Sequence, residues 1–272
     1  MSTTVALLAV EERRGGARVL GAARDAFAIA VRNLIAYRRV PQLLVFSTIQ
    51  PVIFVLMFRY VFGGAIHIPG VDYVNYLMPG VFAQTVTFGA VQTGVGLAED
   101  LNKGLIERFR SLPMARSAVL AGRTVADLTR NVFVVILMII VGYLVGFRVQ
   151  TGVLGLLGGM AVILLFGFSL TWVFAIVGLS ARNAEAAQAA SFPILAPLVF
   201  VSSAFVAVDT MPGWMQPFAK YQPVSVAVDA VRSLMLGGQF HDPAKVLGSL
   251  AWSIGIVAVF APWAVRVYRR KA

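Results

Sequence analysis

The side chains able to do chemistry in this chain are few, and they sit where helices end. There is no cysteine and there are only two histidines among 272 residues. Disulfides, thiolate nucleophiles and iron–sulfur ligation are therefore excluded, and a polyhistidine metal site nearly so. The adjacent carboxylates Glu99 and Asp100 form the one acid–base pair a membrane-embedded enzyme could use, at a span boundary. No G-x-x-x-x-G-K-[ST] loop is present to cradle nucleotide phosphates, so the chain itself is not expected to hydrolyse ATP. No catalytic residue, metal ligand or bound cofactor is assigned. A different chemistry, partner recognition, is offered by the segment EDLNKGLIERFRSLPMARSAVLAGRTVADLTR at Glu99–Arg130. Leu101, Leu105, Phe109 and Leu112 recur there at helical spacing, Lys103, Glu107 and Arg110 turn away, and Pro113 ends the helix. Such a helix, set crosswise below a membrane, either rests on lipid headgroups or inserts its tip into a groove on a soluble partner.

A second group of polar side chains is uncharged and lies within apolar runs: Gln84, Thr85, Thr87, Gln92 and Thr93, then Ser191, Ser202 and Ser203. In lipid these must face another helix or a cavity. Together with Phe82, Phe88, Phe192 and Phe205 they suit a pathway for a large, greasy or amphiphilic compound; hydrogen bonding between helices accounts for them equally well. No Asp, Glu, Lys, Arg or His is expected inside a span away from its ends, with Arg59 and Glu99 at boundaries. An intramembrane charge costs at least about 2.5–3.5 kcal/mol, so its absence argues against an ion-coupled carrier or an intramembrane hydrolase. Gly80, Gly89, Gly94 and Gly96, with Pro51, Pro79, Pro193 and Pro197, read as close helix packing and kinks.

The elements that must carry these residues follow from composition: 59% of the chain is hydrophobic and 13% charged, too greasy for a water-soluble surface. A bilayer core of roughly 30 Å takes about 20 helical residues, and lipid offers backbone amides no partner, so the spans are helical. Six are expected: 40–62, 73–98, 131–147, 153–181, 189–208 and 246–265. Of the 23 Lys and Arg residues, eighteen fall before the first span, in the 99–130 loop, at Arg182 and at the C-terminus. Basic residues gathered on one side place both termini in the cytoplasm. This asymmetry explains the formal charge of +11 without nucleic acid. The Val5–Val10 run is too short for a secretory signal.

The expected architecture is thus an all-α polytopic membrane protein. Residues 1–39 form a cytoplasmic N-terminus, 40–266 the six-span domain and 267–272 a basic tail. Within residues 18–39, Leu20, Ala23, Phe27, Ala30, Val31 and Leu34 share a face opposite Arg18, Asp25, Arg32 and Arg39. That pattern fits an interfacial helix, or a simple basic anchor for the first span. Residues 209–245, punctuated by Pro212, Pro217, Pro223, Gly237 and Gly238, read as short extracellular re-entrant or interfacial helices. Trp214, Phe218 and Tyr221 suit an aromatic belt there.

Four segments resemble one known family. FGG at Phe62–Gly64, YLMPG at Tyr76–Gly80, GLIERFRSLPMARSAVLAGR at Gly104–Arg123 and PGWMQPFAKYQPVSVAVDAVRSLMLGG at Pro212–Gly238 are similar to permease subunits of type-2 ATP-binding-cassette exporters, specifically the daunorubicin-resistance branch. The resemblance spans nearly the whole chain. It implies two permeases, taken as identical chains, around a central pathway, with two separate cytoplasmic ATPase subunits that bind ATP and Mg. It also makes 101–112 a coupling helix, in which Leu105, Phe109 and Leu112 fill an ATPase groove and Glu107, Arg108 and Arg110 form its rim. Arg182 and Glu185, in the loop 182–188, supply a second contact, and the N-terminal amphipathic helix becomes a connecting helix. The pathway would draw on Phe82, Gln84, Thr85, Phe88, Gln92, Phe192, Ser202 and Phe205. The implied function is export of a drug, antibiotic or lipid from the bacterial cytoplasmic membrane by alternating access. Other branches move polysaccharides, and a scaffold without transport activity is the competing reading.

Overall fold

The computed structural model of the chain describes residues 41–64, 66, 68–103 and 116–271. The expected N-terminal amphipathic helix lies outside them, as do Leu105, Glu107, Arg108, Phe109, Arg110 and Leu112 of the expected coupling helix. Every regular element among the described residues is helical. The α-helices are α1 (Pro41–Met57), α2 (Tyr73–Asn102), α3 (Arg116–Leu144), α4 (Gly152–Ser180), α5 (Ala184–Phe200), α6 (Gln216–Tyr221), α7 (Pro223–Met235) and α8 (Pro243–Lys271).

The segment Gly122–Leu144 and helices α4 and α8 are long and apolar enough to cross a membrane by length and composition. Two shorter apolar helices, Thr48–Phe62 and Ala184–Phe200, accompany them. Helix α2 is the central post. At 30 residues it runs about 45 Å, and its first half is buried almost all round. It packs most extensively on α4, then on α5 and α3. The contact with α4 depends on small residues. Gly94 lies on the carbonyl of Phe174 and Gly178 on that of Gly94, so a Cβ at either would overlap backbone. Dispersion at such close approach, not hydrophobicity, holds apolar helices together in lipid. Thr85 and Thr87 on α2 satisfy themselves by donating to Val81 O and Ala83 O, each at 2.7 Å.

Two boundaries differ from the sequence reading. Helix α3 starts at Arg116, so the second half of the 99–130 loop is helical and continuous with the third span. Arg123, Asp127 and Arg130 recur on one face of it, partnered with each other and with α2, and the charges do not stop the helix. The expectation of no charge within a span gives way here, since Gly122–Leu144 includes all three. Helix α5 stops at Phe200, short of the expected 208; its interior Pro193 and Pro197 remove two intrahelical donors. The last helical bond is Val201 N to Pro197 O at 3.0 Å, and the chain then turns in over the start of α2.

The bundle has two distinct ends. At one, the basal end, lie the start of α3, the α4–α5 turn with exposed Arg182 and Glu185, and the end of α8, where Tyr268 packs beside Leu97 and Leu179. At the other, the cap end, α7 packs against Tyr76 of α2 and the end of α5, with α6 beside it and Trp214, Phe218 and Tyr221 exposed. The short helices expected within 209–245 are thus α6 and α7, joined to α8 by a 3-10 turn at Gly238–Phe240.

Candidate functional site

Two regions combine polar groups with a cavity. The basal cavity, of about 620 Å³, lies between α1, α2 and α3. Ile53, Phe54, Phe88 and Val134 give it apolar walls; Gln50, Gln84, Thr85 and Gln92 give it polar rungs; Glu99, Arg123, Arg130 and Asn131 line its basal part. The volume falls within the roughly 300–1,000 Å³ of small-molecule sites.

The charged part is built by a register match. Arg123 and Arg130, seven apart on α3, face Gly96 and Gly89, seven apart on the antiparallel α2. Arg130 Nη2 donates to Gly89 O at 2.8 Å and Arg123 Nη1 to Gly96 O at 3.0 Å. A Cβ at Gly96 would collide with the Arg123 guanidinium and one at Gly89 with Asn131, so the glycines make room for these side chains. Arg123 also pairs with Asp100, while Asp127 stands 3.9 Å from Arg123 and 3.8 Å from Arg130. These ties join the last turn of α2 to the first turns of α3, the two elements from which residues 104–115 hang. Glu99 accepts from Lys103 Nζ at 2.6 Å, a bond that holds the lysine pKa above its ordinary value. Asp100 is thereby paired with Arg123 and Glu99 with Lys103, so these two adjacent carboxyls take separate partners.

The cap end is organised around Arg232, which is 2% exposed. Its Nε and Nη2 donate to Tyr76 O at 3.1 and 3.0 Å. Nη2 also reaches Ser203 O at 2.6 Å and Ala204 O at 3.2 Å, and Nη1 meets Asp229 Oδ1 at 3.1 Å. The guanidinium lies 3.5 Å from the centroid of the Tyr76 ring. The reason for so many acceptors is the broken end of α5. Beyond Phe200 the carbonyls have no helical partner, and buried carbonyls must find one. Gln222 Nε2 takes those of Leu198 and Val201 at 2.8 and 3.1 Å, Arg232 those of Ser203 and Ala204, and Tyr73 OH that of Phe205 at 3.1 Å. Gly80 lies directly on the Ala204 carbonyl. The YLMPG segment and the Pro212–Gly238 segment are therefore two halves of one joint. Beside it opens a cavity of about 1340 Å³ whose lining includes Tyr76, Asp229, Arg232, Lys245 and Lys220.

Of the eight residues expected along a pathway, four come together in the basal cavity: Gln84, Thr85, Phe88 and Gln92. Phe82 is fully buried edge-on to Phe147, with centroids 6.0 Å apart. Ser202 is buried and donates to Val199 O at 2.6 Å. Phe205 stacks on Phe58 of the π-helical turn at 58–62, at 4.7 Å. Phe192 projects from α5, 61% exposed. The residues that sequence reasoning passed over are Arg123, Asp127, Arg130, Asp229 and Arg232. The matched sevenfold spacing of the two arginines and the two glycines, and Asp229 three before Arg232 on a helix, were the signals available.

Among known proteins, the ABC-2 type transporter family matches residues 24–236. A daunorubicin resistance ABC transporter permease protein of Streptomyces coeruleorubidus is 42% identical over 241 residues, covering 88% of this chain and 84% of that protein. A doxorubicin resistance ABC transporter permease protein of Mycobacterium tuberculosis is 30% identical over 81% of this chain and 79% of its own. A probable doxorubicin resistance permease from the same species is 27% identical over 82% and 80%.

Proposed function

The chain belongs to the ABC-2 type transporter family, and on that premise we propose that it is the permease subunit of an ATP-driven exporter of drug-like hydrophobic or amphipathic compounds. The observation that carries the reading is the basal cavity: apolar walls, uncharged polar rungs and a size suited to one small molecule. It ends beside the Arg123–Asp100 tie, next to the 104–115 connection. The relatives named for daunorubicin and doxorubicin resistance suggest flat, polycyclic cargo of this kind.

In this reading the protein is an integral membrane protein of the bacterial plasma membrane with six spans. The basal end is cytoplasmic, as its share of Lys and Arg argues, and both termini are inside. Residues 101–112 dock on a separate ATPase, which binds ATP and Mg, and Arg182 with Glu185 makes the second contact. Two permeases and two ATPases form the working unit, the permeases being copies of this chain. Closure of the ATPases on ATP pushes on the connection between α2 and α3, and the ties at Gly89 and Gly96 carry the displacement into the walls of the cavity. Native mass spectrometry of the complex drawn gently from its own membrane tests the assembly. Two permeases with two nucleotide-binding subunits are expected; repeated isolation of the permease without any ATPase, under conditions that preserve other such complexes, would count against the reading.

A further inference from the structure

We propose that the stacked rings of Phe58 and Phe205 are the gate between the basal cavity and the cap cavity; this rests on the exporter reading above. Three stretches of chain run from one cavity to the other past the same level. On the first, Phe54 of α1 lines the basal cavity, and beyond the π-helical turn Phe58–Phe62 the lining of the cap cavity begins at Ile66. On α2, Tyr76 lines the cap cavity and Gln84 the basal one, about 12 Å apart along the helix. On the third, Ser203 and Val206 line the cap cavity, while the ring of Phe205 between them meets Phe58 and Phe54, with centroids 4.7 and 6.3 Å away. The interval is therefore filled by aromatic side chains: Phe54 also stacks on Phe58 at 6.0 Å, Phe205 is buried, and Gly80 of α2 closes on the Ala204 carbonyl beside it.

The two halves of the stack are carried by backbone of different kinds, which makes it a gate and not a fixed plug. Phe205 sits on a connection whose carbonyls are held by Arg232, Gln222 and Tyr73. Phe58 opens a π-helical turn, a rare form found mostly at functional sites. Return of that turn to α geometry changes the phase of its side chains relative to Phe54 and draws Phe58 away from a stationary Phe205. Only ring contact is lost, since stacking carries no directional bond between the two elements. The cavities on either side also differ in the way release requires. The basal one, of about 620 Å³, suits one small molecule, whereas the cap one, of about 1340 Å³, exceeds the roughly 300–1,000 Å³ of such sites and is lined by Asp209, Lys220 and Asp229. An apolar compound that passes the rings exchanges a fitted greasy site for a wide charged one.

The chain has no cysteine, so Gln92→Cys gives it a single thiol, on the wall of the basal cavity. In sealed vesicles holding the chain with its ATPase, the membrane-impermeant cation trimethylammonioethyl methanethiosulfonate is added to the cap side and its reaction read as added mass on the permease. Without nucleotide the thiol is expected to be protected, and a non-hydrolysable ATP analogue should remove the protection. Phe205→Ala should remove it without nucleotide, and so should Phe58→Ala, which covers a loss of folding in the first variant; the same reagent added to the basal side labels every folded variant. As a converse, Phe58→Cys with Phe205→Cys, bridged by a reducible bis-methanethiosulfonate, should lose ATP-dependent daunorubicin accumulation and regain it on reduction. A thiol that reacts from the cap side at the same rate in both nucleotide states, protection that survives in a folded alanine variant, or a bridged pair that still transports overturns the gate and leaves the exporter reading standing. A wild type that accumulates no daunorubicin with ATP overturns the exporter reading and the gate with it.

Discussion

The two ends of the bundle each bury arginine against helix carbonyls, but they do so in opposite settings. At the cap end one arginine gathers carbonyls from two separate stretches, Tyr76 and Ser203–Ala204, and pins them to each other beside the larger cavity. At the basal end two arginines grip one helix at two glycines beside the smaller cavity. The first arrangement cannot shift without orphaning several backbone groups at once. The second ties α3 to two carbonyls of one helix, with Asp100 and Asp127 as the further partners of its arginines. The contrast teaches two uses of one side chain: the cap holds the broken helix in place through its backbone acceptors, while the basal seam joins α2 to α3, the two helices that flank residues 104–115.

The largest effect should come from breaking the cap. Arg232→Met removes the side-chain donor of the buried Ala204 carbonyl, while Ser203 O keeps Tyr76 OH and Asp229 keeps Lys245 and Ser203 Oγ; with several charge-assisted bonds lost at once, a cost of about 3 kcal/mol is expected. Thermal unfolding in mild detergent, read beside protein abundance in the membrane, measures it. Next in size, Gly94→Val drives a branched side chain into the Phe174 carbonyl, where overpacking costs about 1–3 kcal/mol. The same thermal measurement should show the lower melting point with transport falling in proportion to folded protein.

The basal seam should behave differently. Arg123→Gln is expected to cost about 1–3 kcal/mol, since that largely buried side chain is tied to Asp100 and the Gly96 carbonyl, and to depress ATP-dependent transport by more than the loss of folded protein. A fall in transport no greater than the loss of folded protein would erase the distinction between the two ends. Smallest of all, Glu99→Gln removes only the exposed bond to Lys103 and should leave both melting temperature and transport unchanged within error. A large loss there would instead revive acid–base chemistry at the inner boundary.

Much of this contrast was legible in the sequence, but unevenly. Apolar run length placed α4 to within a residue and α8 apart from its last turns, because hydrophobic length is a direct constraint of the bilayer, whereas α1 and α2 are helical where expected without being among the three described helices long and apolar enough to cross by themselves. Pro197 and the serines after it marked a break in α5, although the apolar run through Val201–Val208 disguised it as continued span. The start of α3 was hidden for a related reason: charges between 116 and 130 read as loop, and only their placement opposite Gly89 and Gly96 makes them compatible with a packed helix. Within the basal cavity, Gln84, Thr85, Phe88 and Gln92 were identifiable as polar or aromatic rungs of a span. The role of Arg232 was not, because a cation in a proline-punctuated outer segment looks solvated until the carbonyls of a broken helix 28 residues away are seen beside it.

The account stands most directly on ATP-driven movement of an apolar compound. In sealed inside-out liposomes holding only this chain and its ATPase, daunorubicin should accumulate with ATP and Mg, and fail to accumulate with a non-hydrolysable ATP analogue. Phe109→Ala should abolish accumulation while leaving the protein inserted and abundant. Absence of ATP-dependent accumulation of daunorubicin, or of any other apolar compound tried, in liposomes where the ATPase is active and bound would contradict it, and the chain would then be a membrane scaffold.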